Sequence, residues 1–336
     1  MDIAVSLPQN GYTVTVRRGV LSEAGKLFNL DRRVLVVTDD GVPPVYAETV
    51  AAQCKAPTVV TLPQGEATKS LPYYAKLLHV LLENHFTRTD CVVAVGGGVV
   101  GDLAGFAAAS FLRGVDFYNI PTTVLSQVDS SIGGKVAIDF DGIKNCVGAF
   151  YQPRAVLVDP QVLETLPPRQ VANGLAEAVK MALTFDASLF ALFETEDPTA
   201  HMEEIIARSL QIKANVVMQD EKESGLRRVL NFGHTVGHGI EAAGMQELYH
   251  GECVALGMLP MCSAAVRARL LPVLEKLGLP TACHVSAKAA WAALTHDKKL
   301  SGDTLTAIFC ETVGSFEMRK MPLAALKETV FGLLEG

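Results

Sequence analysis

The chain has 336 residues, enough for two domains of ordinary size, and 49% of them are hydrophobic, which supplies the material for sizeable cores. Only 19% are charged, and 36 Asp and Glu against 29 Lys and Arg give a formal net charge of -7, which argues against nucleic acid as a partner. A small acidic ligand stays open, because a local cluster of Lys and Arg acts at short range whatever the net charge.

The N-terminus, MDIAVSLPQNGYTVTV, has no basic stretch followed by an apolar one, so nothing directs export and a cytoplasmic location is expected. Six short runs rich in β-branched residues follow as strand candidates: YTVTV, RVLVVTD, TVVTLP, CVVAVGGG, DFYNIP and AVLVDP. Their alternation with helical segments predicts a mostly parallel sheet covered by helices over residues 1–160. From about Leu163 the apolar spacing changes to threes and fours, as in ANGLAEAVKMALTF and EEIIARSLQIKANVV, which predicts a mainly helical second domain over 161–336. Within it, LTAIFCETVGSFEMRKM (304–321) has two runs flanking Val313 and Gly314 and fits a β-hairpin. The groove between the domains is the expected place for a site.

CVALGMLPMCSAAV (253–266) is too short for a membrane span and contains Pro260, so it reads as a buried helix and no membrane partner is expected. The seven cysteines are scattered without a CxxC pair, which suits reduced thiols, and Cys91 and Cys253 sit in apolar runs as packing residues.

Gly96, Gly98 and Gly101 match GxGxxG between a strand and a helix, a pattern in which backbone amides approach a pyrophosphate at a helix N-terminus. The motif alone is equally compatible with a tight turn that only lets helix pack on sheet. Asp39, ending a strand, can accept hydrogen bonds from a ribose, and GEATKS places Glu66 and Lys69 after the next strand. PTTVLSQVDSSIGGKVAIDFDGIKN (121–145) reads as a dense polar loop carrying Asp129, Lys135, Lys144 and Asn145, with Thr122 and Thr123 as helix caps or cofactor contacts.

Glu177 and Lys180 share a helix face in an apolar segment, where charge needs a partner or a task. His234 and His238 are four apart, a chelating spacing, and His250 follows in YHGE; spacing alone does not choose two ligands from these three. His79, His85, His201, His284 and His296 have no clustered carboxylates and read as structural.

Taken together, GEATKS, GGGVVGDLAGFAAASFLRG, PTTVLSQVDSSIGGK, KNCVGAFYQP, TLPPRQVANGLAEAVK, DEKESGLRRVLNFGHTVGH, HGECVALGM and HDKK resemble, in order, the 3-dehydroquinate synthase family of sugar phosphate cyclases. The resemblance implies a Rossmann-like N-terminal domain carrying NAD, a helical C-terminal domain carrying zinc or cobalt, and a homodimer. The implied substrate is 3-deoxy-D-arabino-heptulosonate 7-phosphate. The implied metal ligands are Glu177, His234 and His250. For the cofactor the matching positions are Asp39, Gln64, Gly65, Glu66, Ala67, Thr68, Lys69, Gly98, Val99, Val100, Gly101, Asp102, Thr122, Thr123, Lys135, Lys144, Val162, Leu163, Glu164 and Thr165. For substrate they are Arg113, Asp129, Lys135, Asn145, Lys180, Lys213, Arg227, Asn231, His238 and a lysine of HDKK, preferably Lys298 over Lys299, with Arg113 serving a neighbouring subunit.

The implied reaction is that of a carbon–oxygen lyase in the shikimate pathway of aromatic amino acid biosynthesis: transient oxidation by NAD, phosphate elimination, re-reduction, and ring closure by intramolecular aldol addition. The chain departs from the family pattern at Val136, Asp139 and Gly41. The competing expectations are another sugar phosphate cyclase and a metal-dependent polyol dehydrogenase. Lys213, Arg227 and Asn231, which match the carboxylate-binding positions, favour an acidic sugar.

Overall fold

The computed structural model describes residues 1–243, 248–282, 287–296 and 304–334. The chain forms two compact units, one of Met1–Pro167 with Lys213–Lys222, the other of Pro168–Ile212 with Glu223–Gly336.

The first unit is built on a seven-stranded sheet. In chain order its strands are β1 (Asp2–Val5), β2 (Tyr12–Val16), β3 (Arg33–Asp39), β4 (Ala56–Leu62), β5 (Cys91–Gly96), β6 (Asp116–Pro121) and, after a separate hairpin β7 (Lys135–Phe140) and β8 (Ile143–Phe150), β9 (Ala155–Val158). The order across the sheet is β1-β2-β9-β6-β5-β3-β4, parallel throughout except for β1 against β2. All six strand candidates of the sequence are therefore present. β5 is buried along its whole length and β3 after its first residue, as expected of parallel strands covered on both faces.

Strand β3 is the switch point: the chain adds β4 on one side of it, then returns to add β5 on the other. Loops leaving the carboxyl ends of strands that diverge in this way leave a crevice between them, where doubly wound sheets take their ligands. The glycine-rich turn after β5 thus lies at the switch point, although it comes in mid-domain and not after the first strand.

The region 121–145, expected to be a loop, is ordered otherwise. Thr123 caps a short helical turn, its Oγ1 accepting from the Ser126 N–H at 3.1 Å, and from Lys135 the chain runs into the antiparallel β7–β8 hairpin. Asp141 (φ 50) and Gly142 (φ 75) make its turn, both in the left-handed region that such tight hairpin turns require.

The second unit is mainly helical, with the antiparallel hairpin β10 (Thr304–Phe309) and β11 (Glu317–Pro322) that the sequence suggested. Its central helix, Pro168–Phe185, is buried on every side from Ala172 to Thr184, so Glu177 and Lys180 lie in the interior. Residues 253–261 form buried helix as expected, but the rest of the expected helix does not continue it: Cys262 is extended against Cys310, and a new helix starts at Ala264 with Ala264 and Ala265 exposed. Cys91 and Cys253 are core residues. No helix among the described residues is long and apolar enough to cross a membrane.

Helices Pro168–Phe185, His234–Ala243 and His250–Met258 pack at backbone contact, and glycine permits it. A Cβ on Gly251 would stand 1.9 Å from the Asn173 carbonyl oxygen, and one on Gly257 2.0 Å from that of Gly233. Backbone cannot swing aside as a flexible side chain can. Gly251→Ala is therefore expected to cost roughly 1–3 kcal/mol in a urea titration, the range of overpacked cores. An unchanged midpoint would refute it.

Candidate metal centre and nucleotide crevice

In the second unit, Glu177 is 0% and Lys180 1% exposed, and the ammonium pairs with Glu177 Oε2. The other carboxylate oxygen, Oε1, meets His234 Nε2 at 3.3 Å and His250 Nε2 at 3.2 Å. The three ligand atoms lie within 4.8 Å of one another. A carboxylate and two imidazoles form the O,N donor set of an open three-ligand zinc or cobalt site. Burial opposes ionisation of Glu177, but Lys180 and the two imidazoles prevail and hold its carboxyl well below the usual range. Burial lowers the His234 imidazole. At His250 burial acts in the same direction, yet Glu177 and Glu241 outweigh it and push the ring up to about 10.

The second nitrogen of each ring also has a partner. His234 Nδ1 lies 3.2 Å from the Phe232 carbonyl oxygen, and His250 Nδ1 lies 3.2 Å from Glu241 Oε2. His250 opens its helix, where Glu252 accepts from the Tyr249 N–H at 2.8 Å. Arg169 grips Glu252 with two bonds of 2.7 and 2.8 Å and stacks on the Tyr249 ring, while Asn173 Oδ1 accepts from the Gly251 N–H at 2.6 Å. Arg169, Asn173 and Glu177 all belong to Pro168–Phe185, so one helix sets where His250 meets Glu177.

His238 is one turn beyond His234, its ring 5.3 Å from that of His234 and 5.9 Å from that of His250. It also falls in a second group of possible ligands, with Glu241 and His250. Arg227 is buried in the turn Leu226–Asn231, and the Asn231 amide donates to Glu223. Lys298 and Lys299 lie outside the described residues.

In the first unit, the candidate cofactor residues gather at the carboxyl ends of the strands. Asp39 closes β3, where Oδ1 accepts from the Gly41 N–H at 2.9 Å and burial raises its carboxyl. The loop after β4 begins at Gln64, whose N–H donates to Asp40 at 2.7 Å, passes Gly65 (φ 107) and turns through Glu66–Thr68, including Ala67. Lys69 is buried, with Nζ 2.9 Å from Glu66 and 3.2 Å from Asp102. Burial would lower Lys69, but the carboxylates of Asp102 and Glu66 push it to about 12; burial pushes Asp102 up to about 6 in spite of Lys69.

Gly98, Val99, Val100, Gly101 and Asp102 form the first turn of helix Gly98–Ser110. None of Gly96, Gly97, Gly98 or Gly101 has a positive φ, so these glycines supply space: a Cβ on Gly96 would lie 2.6 Å from the Val100 side chain. Thr122 N–H donates to the Gly96 carbonyl at 2.9 Å, and Gly101, Asp102, Ser130, Gly134 and Lys135 line one small cavity of about 10 Å³. Lys213 is also buried here, bound to Asp129 Oδ1 at 2.5 Å and to the Asp129 carbonyl.

Other candidates lie on the β7–β8 hairpin, in the turn after β9 and after helix Gly98–Ser110. Lys144 and Asn145 are exposed on β8, with Asn145 in a left-handed conformation (φ 53) and its N–H on Asp139 at 2.7 Å. Val162, Leu163, Glu164 and Thr165 form the turn after β9, where Tyr46 hydroxyl lies 3.0 Å from Thr165 Oγ1 and Glu164 pairs with Arg18. Arg113 is exposed, with Leu112 (φ 49), Arg113 (φ 70) and Gly114 (φ 118) all left-handed in succession.

Reasoning from sequence missed Glu241. The signal was present: His234, His238 and Glu241 are spaced i, i+4, i+7, one face of a helix.

The fold is that of the sugar phosphate cyclases. A solved structure of 2-deoxy-scyllo-inosose synthase with carbaglucose-6-phosphate, NAD+ and Co2+ matches with a TM-score of 0.89 at 24% identity, covering 99% of this chain and 100% of that one. A 2-epi-5-epi-valiolone synthase from Streptomyces hygroscopicus subsp. jinggangensis, with NAD+ and Zn2+ bound, matches with a TM-score of 0.87 at 27% identity over 98% of each chain. The 3-dehydroquinate synthase of Latilactobacillus sakei is 41% identical over 96% of this chain and 95% of its own, and that of Streptococcus sanguinis 40% over 98% and 99%. Residues 59–173 match the family model for the 3-dehydroquinate synthase N-terminal domain and 174–300 that for the C-terminal domain. The chain belongs to the 3-dehydroquinate synthase family.

Proposed function

We propose that the chain is a 3-dehydroquinate synthase, converting 3-deoxy-D-arabino-heptulosonate 7-phosphate to 3-dehydroquinate and phosphate. The observation that carries the reading is Glu177: a carboxylate wholly out of water that gathers two imidazoles and an ammonium, in a chain about 40% identical to enzymes of that name. A buried charge is costly unless it is paired or coordinates a metal, and the two imidazoles beside the Glu177–Lys180 pair supply the further donors an ion needs.

Glu177, His234 and His250 would hold zinc or cobalt. NAD would lie along the strand-end loops, from Asp39 and residues 64–69 through 98–102, Thr122 and Thr123 to 162–165, with Lys135 and Lys144 contributing. When bound, NAD supplies reversible hydride acceptance and the metal polarises a substrate hydroxyl. The chain's own groups bind and orient. Lys180 and Asp129 are assigned to ring hydroxyls; Lys213, Arg227 and Asn231 to the carboxylate; Lys135, Asn145 and His238 to the phosphate; Lys298 to substrate. The Lys180 ammonium, held against Glu177 Oε2, and the Lys213 ammonium, held on Asp129, are fixed before substrate arrives, which lowers the cost of ordering them.

A homodimer in the cytoplasm completes the proposal, with Arg113 serving the partner copy. Support comes from the exposed, left-handed backbone that presents Arg113 and from exposed Phe140, Ile143, Val147 and Phe150 on the β7–β8 hairpin.

With the heptulosonate phosphate, NAD+ and zinc or cobalt, the purified protein is expected to release phosphate and form 3-dehydroquinate without net NADH. Steady NADH from glycerol, or turnover confined to non-acidic sugar phosphates, would overturn the assignment.

A further inference from the structure

We infer that Glu241 is a positioning residue of the metal centre, accepting the Nδ1 proton of His250 and so committing Nε2 to the ion. A neutral imidazole carries its proton on one nitrogen and a lone pair on the other. Whichever nitrogen is given a strong acceptor keeps the proton, and the opposite one is left to coordinate. Glu241 Oε2 is 3.2 Å from Nδ1, and Nε2 faces Glu177 Oε1 at 3.2 Å, so the ring is strung between two carboxylates with different tasks.

The two metal-facing histidines solve the same problem unequally. His234 is backed by the neutral Phe232 carbonyl, His250 by a full negative charge. His250 opens a helix and so sits at the positive end of its dipole, which makes its nitrogen a poorer donor; an anion at the back of the ring offsets this. Glu241 reaches it because it lies seven residues after His234, on the same face of helix His234–Ala243.

The competing geometry makes Glu241 a ligand, with His238 and His250, in the second group of three. One ring nitrogen decides between them, since His250 meets Glu177 through Nε2 and Glu241 through Nδ1. The fully buried Glu177, which already collects two imidazoles on one oxygen, favours the first group.

The inference rests on the metal reading above, and titration of Co2+ alone into metal-free full-length protein separates the two. Wild type, Glu241→Gln and Glu241→Ala are each expected to take up one equivalent. Alanine should weaken binding about 10–100-fold, the range for lost partners behind a ligand. Glutamine should fall between, since its amide oxygen still accepts the proton but carries no charge. Thermal midpoints of the metal-free proteins should differ little. Affinities within about twofold of wild type in both variants would overturn the inference. So would loss of the stoichiometric site in both, which would make Glu241 a ligand. A wild type that takes up no cobalt would overturn the metal reading and this one with it.

Discussion

Glu177→Ala is expected to abolish metal uptake and turnover together and to lower folding stability by about 3–5 kcal/mol, the usual cost of removing one partner of a buried ion pair. The stability loss follows from Lys180, which is 1% exposed and, once the carboxylate is gone, must either hold a charge out of water or give up its proton, each at a cost. The two losses can be separated. Adding Lys180→Met replaces the amine left without its carboxylate by an apolar side chain of similar size, so the double variant should recover much of the stability and no metal uptake. Urea titration and metal analysis of the wild type and both variants check this. Recovery of metal uptake with stability would show that Glu177 serves the fold alone. Treatment of wild type with a strong chelator should remove activity, and added zinc or cobalt should return it.

The second large effect divides the histidines. His250→Ala should lose metal and activity, because it removes one of the three proposed ligands. His238→Ala should keep one equivalent of metal and lose roughly 10²-fold in kcat/KM, the scale of a single charge-stabilising donor. The structure sharpens the contest, since His238 also stands in a ligand group with Glu241 and His250. Metal analysis of both variants decides it: equal metal loss would sink the division.

The strands were readable because each buried parallel strand is a short apolar run, and RVLVVTD and CVVAVG have no polar face to confuse the pattern. β8 had no such mark. All its residues are exposed, so no alternation shows, and its lysine and asparagine pointed to chemistry before geometry. The Asp141-Gly142 turn was the overlooked cue. Strand order was not legible at all, because it depends on which side of β3 each crossover takes, and only that order explains why a glycine turn in mid-unit lies at the crevice.

At the metal centre the residue types were plain, but spacing alone did not choose among three histidines; the resemblance implied His234 and His250, and the structure sets both against Glu177 Oε1. Burial of Glu177 and Lys180 was anticipated from their apolar neighbours. The partner behind His250 was not, because an isolated glutamate on a helix reads as surface.

Lys213 belongs with the first unit although its codon comes after the second unit's opening stretch, Pro168–Ile212, and it holds Asp129 there. A ribosome making this chain from the N-terminus therefore releases a sheet whose anionic Asp129 waits for its cation. The first unit is finished only once residue 222 has emerged, so its synthesis and that of the helical unit are interleaved in time.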